Sequence, residues 1–187
     1  MPIWLIIVLC VILIVIVFIW GSYNGLVKLN ERVDEAWSDI TVQLKRRADL
    51  IPNLVESVKG YAKHEKEAIE AVSDARAAMM GAKTVEDTAK ADKEFTSALS
   101  RLMMVSEAYP ELKADKNFQQ LSSELTDTED KVQAARRFYN AGVKDLNTKI
   151  KMFPVNLFGG FGFKARAYYE VDESEKAKIE KAPEVKF

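Results

Sequence analysis

The apolar positions form one solid block followed by three long periodic stretches. From Ile3 to Trp20, 18 consecutive residues are apolar. As a helix this run covers about 27 Å, close to the roughly 30 Å hydrocarbon core of a bilayer. Trp4 and Trp20 stand near its ends, where amphipathic rings favour the headgroup level, and Tyr23 extends the second belt. Past this block the pattern changes to spacings of three and four. Leu26, Leu29, Val33, Trp37, Ile40, Leu44, Ile51, Val55, Val58, Ala62, Ile69, Val72 and Met79 trace one stripe opposite a charged face, with Gly81 as its stop. Thr84 with Asp87 makes a capping-box-like start for a second helix, which carries Phe95, Leu99, Leu102, Val105 and Tyr109 and closes at Pro110. The third stretch, Asp115 to Met152, spaces Phe118, Leu121, Leu125, Thr128, Val132, Ala135, Tyr139, Val143, Leu146, Ile150 and Phe153 at an average of about 3.5 residues, the left-handed coiled-coil period.

Pro52 interrupts the first stripe. Inside a helix it removes a hydrogen bond and clashes with the preceding turn, so the minimum consequence is a kink. Matched helix lengths favour a reversal of the chain there, whereas the unbroken stripe through Leu44, Ala48, Ile51 and Val55 favours a continuous kinked helix, the reading preferred here. The fold class is therefore all-α: an N-terminal transmembrane helix, then an up-and-down bundle of three long amphipathic helices, or four if the chain reverses at Pro52. The organisation reads as an anchor over 1–22, a helical bundle over 23–153, and a Gly/Phe-rich segment with a charged tail over 154–187.

Charge decides the orientation of the block. All 27 Lys and Arg and all 28 Asp and Glu lie beyond position 20. No basic residue precedes the apolar run, while Lys28 and Arg32 follow it, which places the bulk of the chain on the cytoplasmic side. A cleaved signal peptide needs a basic start and small residues before the cut. Here Trp20 occupies the −3 position for a cut after Ser22, so the block reads as an uncleaved single-pass anchor. The near-zero net charge of −1 argues against nucleic-acid binding. One Cys and one His cannot build a structural zinc site, and no metal or cofactor is expected.

Candidate chemistry is sparse. His64 beside Glu65 is the only acid–base pairing in view; a metalloprotease helix needs a second His, and there is no G-x-S-x-G elbow. The chain is expected not to be an enzyme. Arg47 falls seven residues after Ile40 and so occupies the apolar seam, where a charge must be paired; Glu107 and Glu129 are the candidates. Glu129, Arg136 and Asn140 share a face of the third helix. An internal polar layer that sets helix register is preferred to a ligand site at the kink. Phe153, Phe158, Phe161 and Phe163 alternate with glycines and a proline in no phosphate-loop pattern. They either cap the bundle end or, at Phe158, Phe161 and Phe163, form an exposed tip for membrane or a partner.

The residues resemble a known family. Positions 23–65, YNGLVKLNERVDEAWSDITVQLKRRADLIPNLVESVKGYAKHE, look like the N-terminal signature of the LemA family, and 98–154, from ALSRLMMVSEAYPELKADKNF to NTKIKMFP, resemble the rest of that pattern. At Leu157, Phe158 and Gly159 the family usually has a more aliphatic, Ala-containing stretch. The resemblance implies a bacterial single-pass inner-membrane protein with a helical bundle, no established catalysis, and associations with envelope stress and membrane proteases. Taken with the patterns above, it leads us to expect a membrane-anchored scaffold. Its partners would be the bilayer, a second copy meeting it through Leu26, Val33, Trp37, Ile40 and Leu44, and other membrane proteins. The alternative is an adaptor or regulator of a membrane protease.

Overall fold

A computed structural model of the chain describes residues 2–62 and 64–169, with Phe158 and Gly159 by their backbone alone. The charged tail over 172–187 lies outside the described residues. Among the described residues five α-helices follow in order, α1 (Ile3–Tyr61), α2 (Lys66–Gly81), α3 (Val85–Ala108), α4 (Pro110–Ala114) and α5 (Lys116–Lys151), then a 3₁₀ helix (Val155–Gly162). There is no strand among the described residues. The described residues divide into two compact units, one from the residues up to 43 with 130–167, the other from those between 44 and 129 with 168 and 169.

In the first unit the part of α1 that follows the apolar block packs on the C-terminal half of α5. Val33 meets Gly142 and Trp37 meets Tyr139, so the two helices run antiparallel. Leu26, Val33, Ala36 and Ile40 of α1 and Val132, Tyr139, Val143 and Leu146 of α5 are all buried. The chain after the 3₁₀ helix is extended and pinned by side chains. Asn147 donates from Nδ2 to the Arg166 carbonyl at 2.9 Å and accepts from the Arg166 N–H at 2.8 Å. Tyr139 donates its hydroxyl to the Ala167 carbonyl at 2.9 Å, and the Arg166 guanidinium pairs with Asp34. One amide thus satisfies both backbone groups of a residue that no ladder pairs.

In the second unit α1 passes through Pro52 and stays helical to Tyr61. Proline offers no N–H to the carbonyl four residues back, which would leave Ala48 O unpaired inside a buried residue. Arg76 of α2 supplies the missing donor: its Nε reaches Ala48 O at 2.8 Å. The chain therefore does not reverse at Pro52. It breaks ten residues further on, between Tyr61 and Lys66, and α2 folds back along α1. This corrects the single stripe expected from Leu26 to Met79, because α1 ends at Tyr61 and Ile69, Val72 and Met79 belong to a separate helix that starts at Lys66. The start of α3 is as the sequence predicts, with Thr84 Oγ1 accepting from Asp87 N at 3.1 Å. Asp115 does the same for α5, its Oδ1 accepting from Phe118 N at 2.9 Å. Ile51, Leu54, Val58, Val72, Phe95, Leu102, Leu112 and Leu125 fill the core.

Candidate functional site

The apolar block is helical from Ile3 onward, and no residue of it is buried by the rest of the chain. Ile3, Trp4 and Trp20 are exposed. Length and composition make it a candidate membrane span.

The positions assigned to a partner interface lie elsewhere than expected. Leu26, Val33, Ile40 and Leu44 are buried within the chain itself, and Trp37 is half-buried with its ring 5.6 Å from that of Tyr139. An apolar stripe has to be covered, and here the chain's own segments cover it. Leu26, Val33 and Ile40 belong to the first unit and Leu44 to the second, and in the folded chain none of the four is open to a second copy.

The second unit contains a buried polar cluster centred on Arg47, which is 2% exposed. Its Nη1 lies 2.7 Å from Glu129 Oε2, 3.3 Å from Asp92 Oδ1 and 3.2 Å from Thr96 Oγ1, and the guanidinium carbon sits 5.1 Å from the Phe95 ring centroid. Asp92 is fully buried and also accepts the Tyr169 hydroxyl through Oδ2 at 2.6 Å. Three helices thus meet on one guanidinium, and the closing segment reaches it through Asp92. Buried charges are tolerated when they are paired and hydrogen-bonded, as these are.

The sequence brings Arg47 and Glu129 together as expected, but Glu107 is a correction. It pairs with Lys113 at 2.6 Å on the surface, because α3 ends at Ala108 and the short α4 turns Lys113 back towards it. Arg136 and Asn140 are half-buried in the first unit, two and three turns further along α5. Asp92, Thr96 and Tyr169 were missed. For Asp92 a signal existed: it occupies a stripe position between Thr88 and Phe95, where an ionisable residue demands a partner. Tyr169 lies in a segment without periodicity and offered none.

His64 is exposed in the α1–α2 connection, and Glu65 accepts the Tyr109 hydroxyl at 3.3 Å. Burial and then the Glu65 charge raise the Tyr109 phenol above its ordinary value. The Asp115 carboxylate does the same for Tyr61, whose hydroxyl donates to it at 3.3 Å. These pairs tie the α1–α2 connection and the end of α1 to the ends of α3 and α5. Beside Pro52, a groove of about 240 Å³ is lined by Ile51, Pro52, Val55, Glu56, Lys59, Ser73 and Arg76. That is below the range of typical small-molecule sites.

The Gly/Phe segment belongs to the first unit. Val155 is buried, and the half-buried Phe161 and Phe163 pack on Tyr23 with ring centroids 6.0 and 5.9 Å away. Gly160, Phe161 and Gly162 all have positive φ, and a Cβ on Gly160 would come within 2.9 Å of Ile150 Cγ2. The tight left-handed turn therefore needs glycine where it crosses α5. The side chain of Phe158 lies outside the described residues.

A family model described as LemA family matches residues 36–187. The chain is 29% identical over 138 residues to Protein LemA of Metamycoplasma hominis, covering 73% of this chain and 63% of that protein. It is 27% identical over 175 residues to Magnetosome protein MamQ 2 of Paramagnetospirillum magneticum, covering 79% and 64%. Magnetosome protein MamQ of Magnetospirillum gryphiswaldense is 26% identical over 174 residues with the same coverage. The chain spans less than two thirds of the length of each of these relatives.

Proposed function

This chain belongs to the LemA family, and from that premise we propose that it is a non-enzymatic, membrane-anchored helical scaffold of the bacterial cell envelope. Residues 1–22 tether it in the inner membrane, and the rest works by contact on the cytoplasmic side. One observation carries the reading: Ile3–Trp20 is helical and uncovered, although each large aliphatic side chain withdrawn from water is worth about 1.5–3 kcal/mol. Lipid is the medium that covers such a helix, and the Trp residues stand at its two interfaces. The orientation rests on Lys28 and Arg32 following the span with no basic residue before it. Because the Leu26–Leu44 stripe is consumed internally, association with a second copy or another membrane protein uses the surfaces that folding leaves open.

The test is fractionation of cells producing the full chain. Wild-type protein should stay in the membrane pellet after carbonate extraction, and its C-terminal part should resist protease added outside spheroplasts. Val11→Arg with Ile14→Arg, each costing about 2.5–3.5 kcal/mol at the centre of a span, should release it. Wild-type chain recovered in the soluble fraction would overturn the anchor, and cleavage from outside would overturn the orientation.

A further inference from the structure

We propose that the segment from Met152 to Phe163 is a second membrane contact, an interfacial foot that sets its exposed apolar side chains into the headgroup–acyl boundary of an anionic leaflet beside the span. The inference rests on the reading of Ile3–Trp20 as membrane-embedded, and adds to it a surface that no helix-spanning argument supplies.

Three observations converge on it. The first is position. Tyr23 follows Trp20 by three residues, a rise of about 4.5 Å along the helix. Its ring is the one on which Phe161 and Phe163 pack. The 3₁₀ helix is therefore held at the level where α1 leaves the hydrocarbon. The second is exposure. Met152, Phe153 and Leu157 are 52%, 76% and 69% exposed, three large apolar side chains within six positions. The buried Val155, the positive-φ turn and the fit of Gly160 against Ile150 hold this stretch in place, so the side chains cannot collapse onto the core. The third is charge. From Leu146 to Tyr169 there is no acidic residue, while Lys149 and Lys151 precede the foot and Lys164 follows it; the next cation, Arg166, is paired with Asp34 and is not part of this rim. A basic rim around an apolar tip is the composition that binds anionic lipid surfaces, the cations meeting phosphates while the apolar side chains enter the boundary. A protein partner of the same chain offers no such match, since its own foot carries the same positive charge.

The experiment measures depth in the full-length chain reconstituted in vesicles of equal parts phosphatidylcholine and phosphatidylglycerol. A nitroxide on the native Cys10 reports the span. In a Cys10→Ser background, Leu157→Cys reports the foot, and Glu31→Cys, about 16 Å beyond Trp20, reports water. Leu157 is exposed, so its replacement leaves the core intact. Power saturation should show oxygen favoured over a nickel chelate at position 157, at a depth between those of 10 and 31, with several-fold lower nickel access than at 31. That access should rise in pure phosphatidylcholine. If position 10 lies in lipid while 157 is as open to nickel as 31, the foot is overturned and the anchor stands. If position 10 is itself in water, the anchor reading falls first. A label at 157 shielded from both reagents assigns the patch to protein rather than lipid and overturns the inference; dipolar broadening between copies would identify the cover as a second chain.

Discussion

Replacing Arg47 by leucine removes a cation on which Asp92 and Glu129 converge. Asp92 is left fully buried with the Tyr169 hydroxyl on one oxygen and no guanidinium on the other, while Glu129, whose side chain is 24% exposed, can turn to water. The loss falls mainly on Asp92. Breaking a buried pair by deleting one partner costs about 3–5 kcal/mol, most of it the stranded charge rather than the lost contact. For a chain of this size each kcal/mol moves the melting midpoint by about 2–4 °C, so Arg47→Leu should melt roughly 6–20 °C lower. The assay is far-UV circular dichroism of the full chain in detergent, followed through the unfolding transition. Arg47→Leu with Asp92→Leu removes both charges and should recover more than half of the loss, because a well-packed apolar pair replaces a paired one at little net cost. Glu129→Gln should lose about 1 kcal/mol, in keeping with its partial exposure. A single Arg47→Leu variant that melts with the wild type would refute the reasoning, as would a double variant whose loss equals the sum of the singles.

Two more outcomes follow from contacts in the second unit. Arg76→Met strips the donor from Ala48 O and should cost about 1–2 kcal/mol in urea unfolding, whereas after Pro52→Ala restores the N–H the same substitution should cost less than half as much; equal losses in the two backgrounds would sink the assignment. Alkaline pH should weaken the connections at Tyr61 and Tyr109. Their phenols titrate above the ordinary value of 10.0 in the folded chain, so the stabilisation is complete below the unfolded value and is lost as pH rises through the folded ones. Tyr61→Phe with Tyr109→Phe should flatten the fall of the urea midpoint above about pH 10, and an unchanged slope would remove those hydroxyls from the account.

Much of the architecture was legible because it rests on local or residue-by-residue physics. The apolarity of Ile3–Trp20 needs no fold to be read. The start of α3 is a single hydrogen bond between Thr84 and the chain three residues on, and α5 runs from Lys116 to Lys151 on a period carried by its own side chains. The seam position of Arg47 likewise announced that a carboxylate must come to it.

What escaped was the set of matters that periodicity cannot carry. A stripe records which face is apolar and is silent on whether the chain turns, since a continued helix and a helix pair bury the same face; hence the end of α1 at Tyr61 and the start of α2 at Lys66 were not legible in it. Nor does a stripe say whether its cover comes from the same molecule or another, which is why Leu26, Val33, Ile40 and Leu44 looked like an interface. The composition and order of side chains by themselves determined an exposed lipid-length helix and a set of amphipathic rods. Only the tertiary structure decided that Arg76 completes the proline-broken turn, that Asp92 and Tyr169 close around Arg47, and that Phe161 and Phe163 rest on Tyr23. Those pairings join positions 28 to 140 residues apart, and proximity at that range depends on the path of the whole chain.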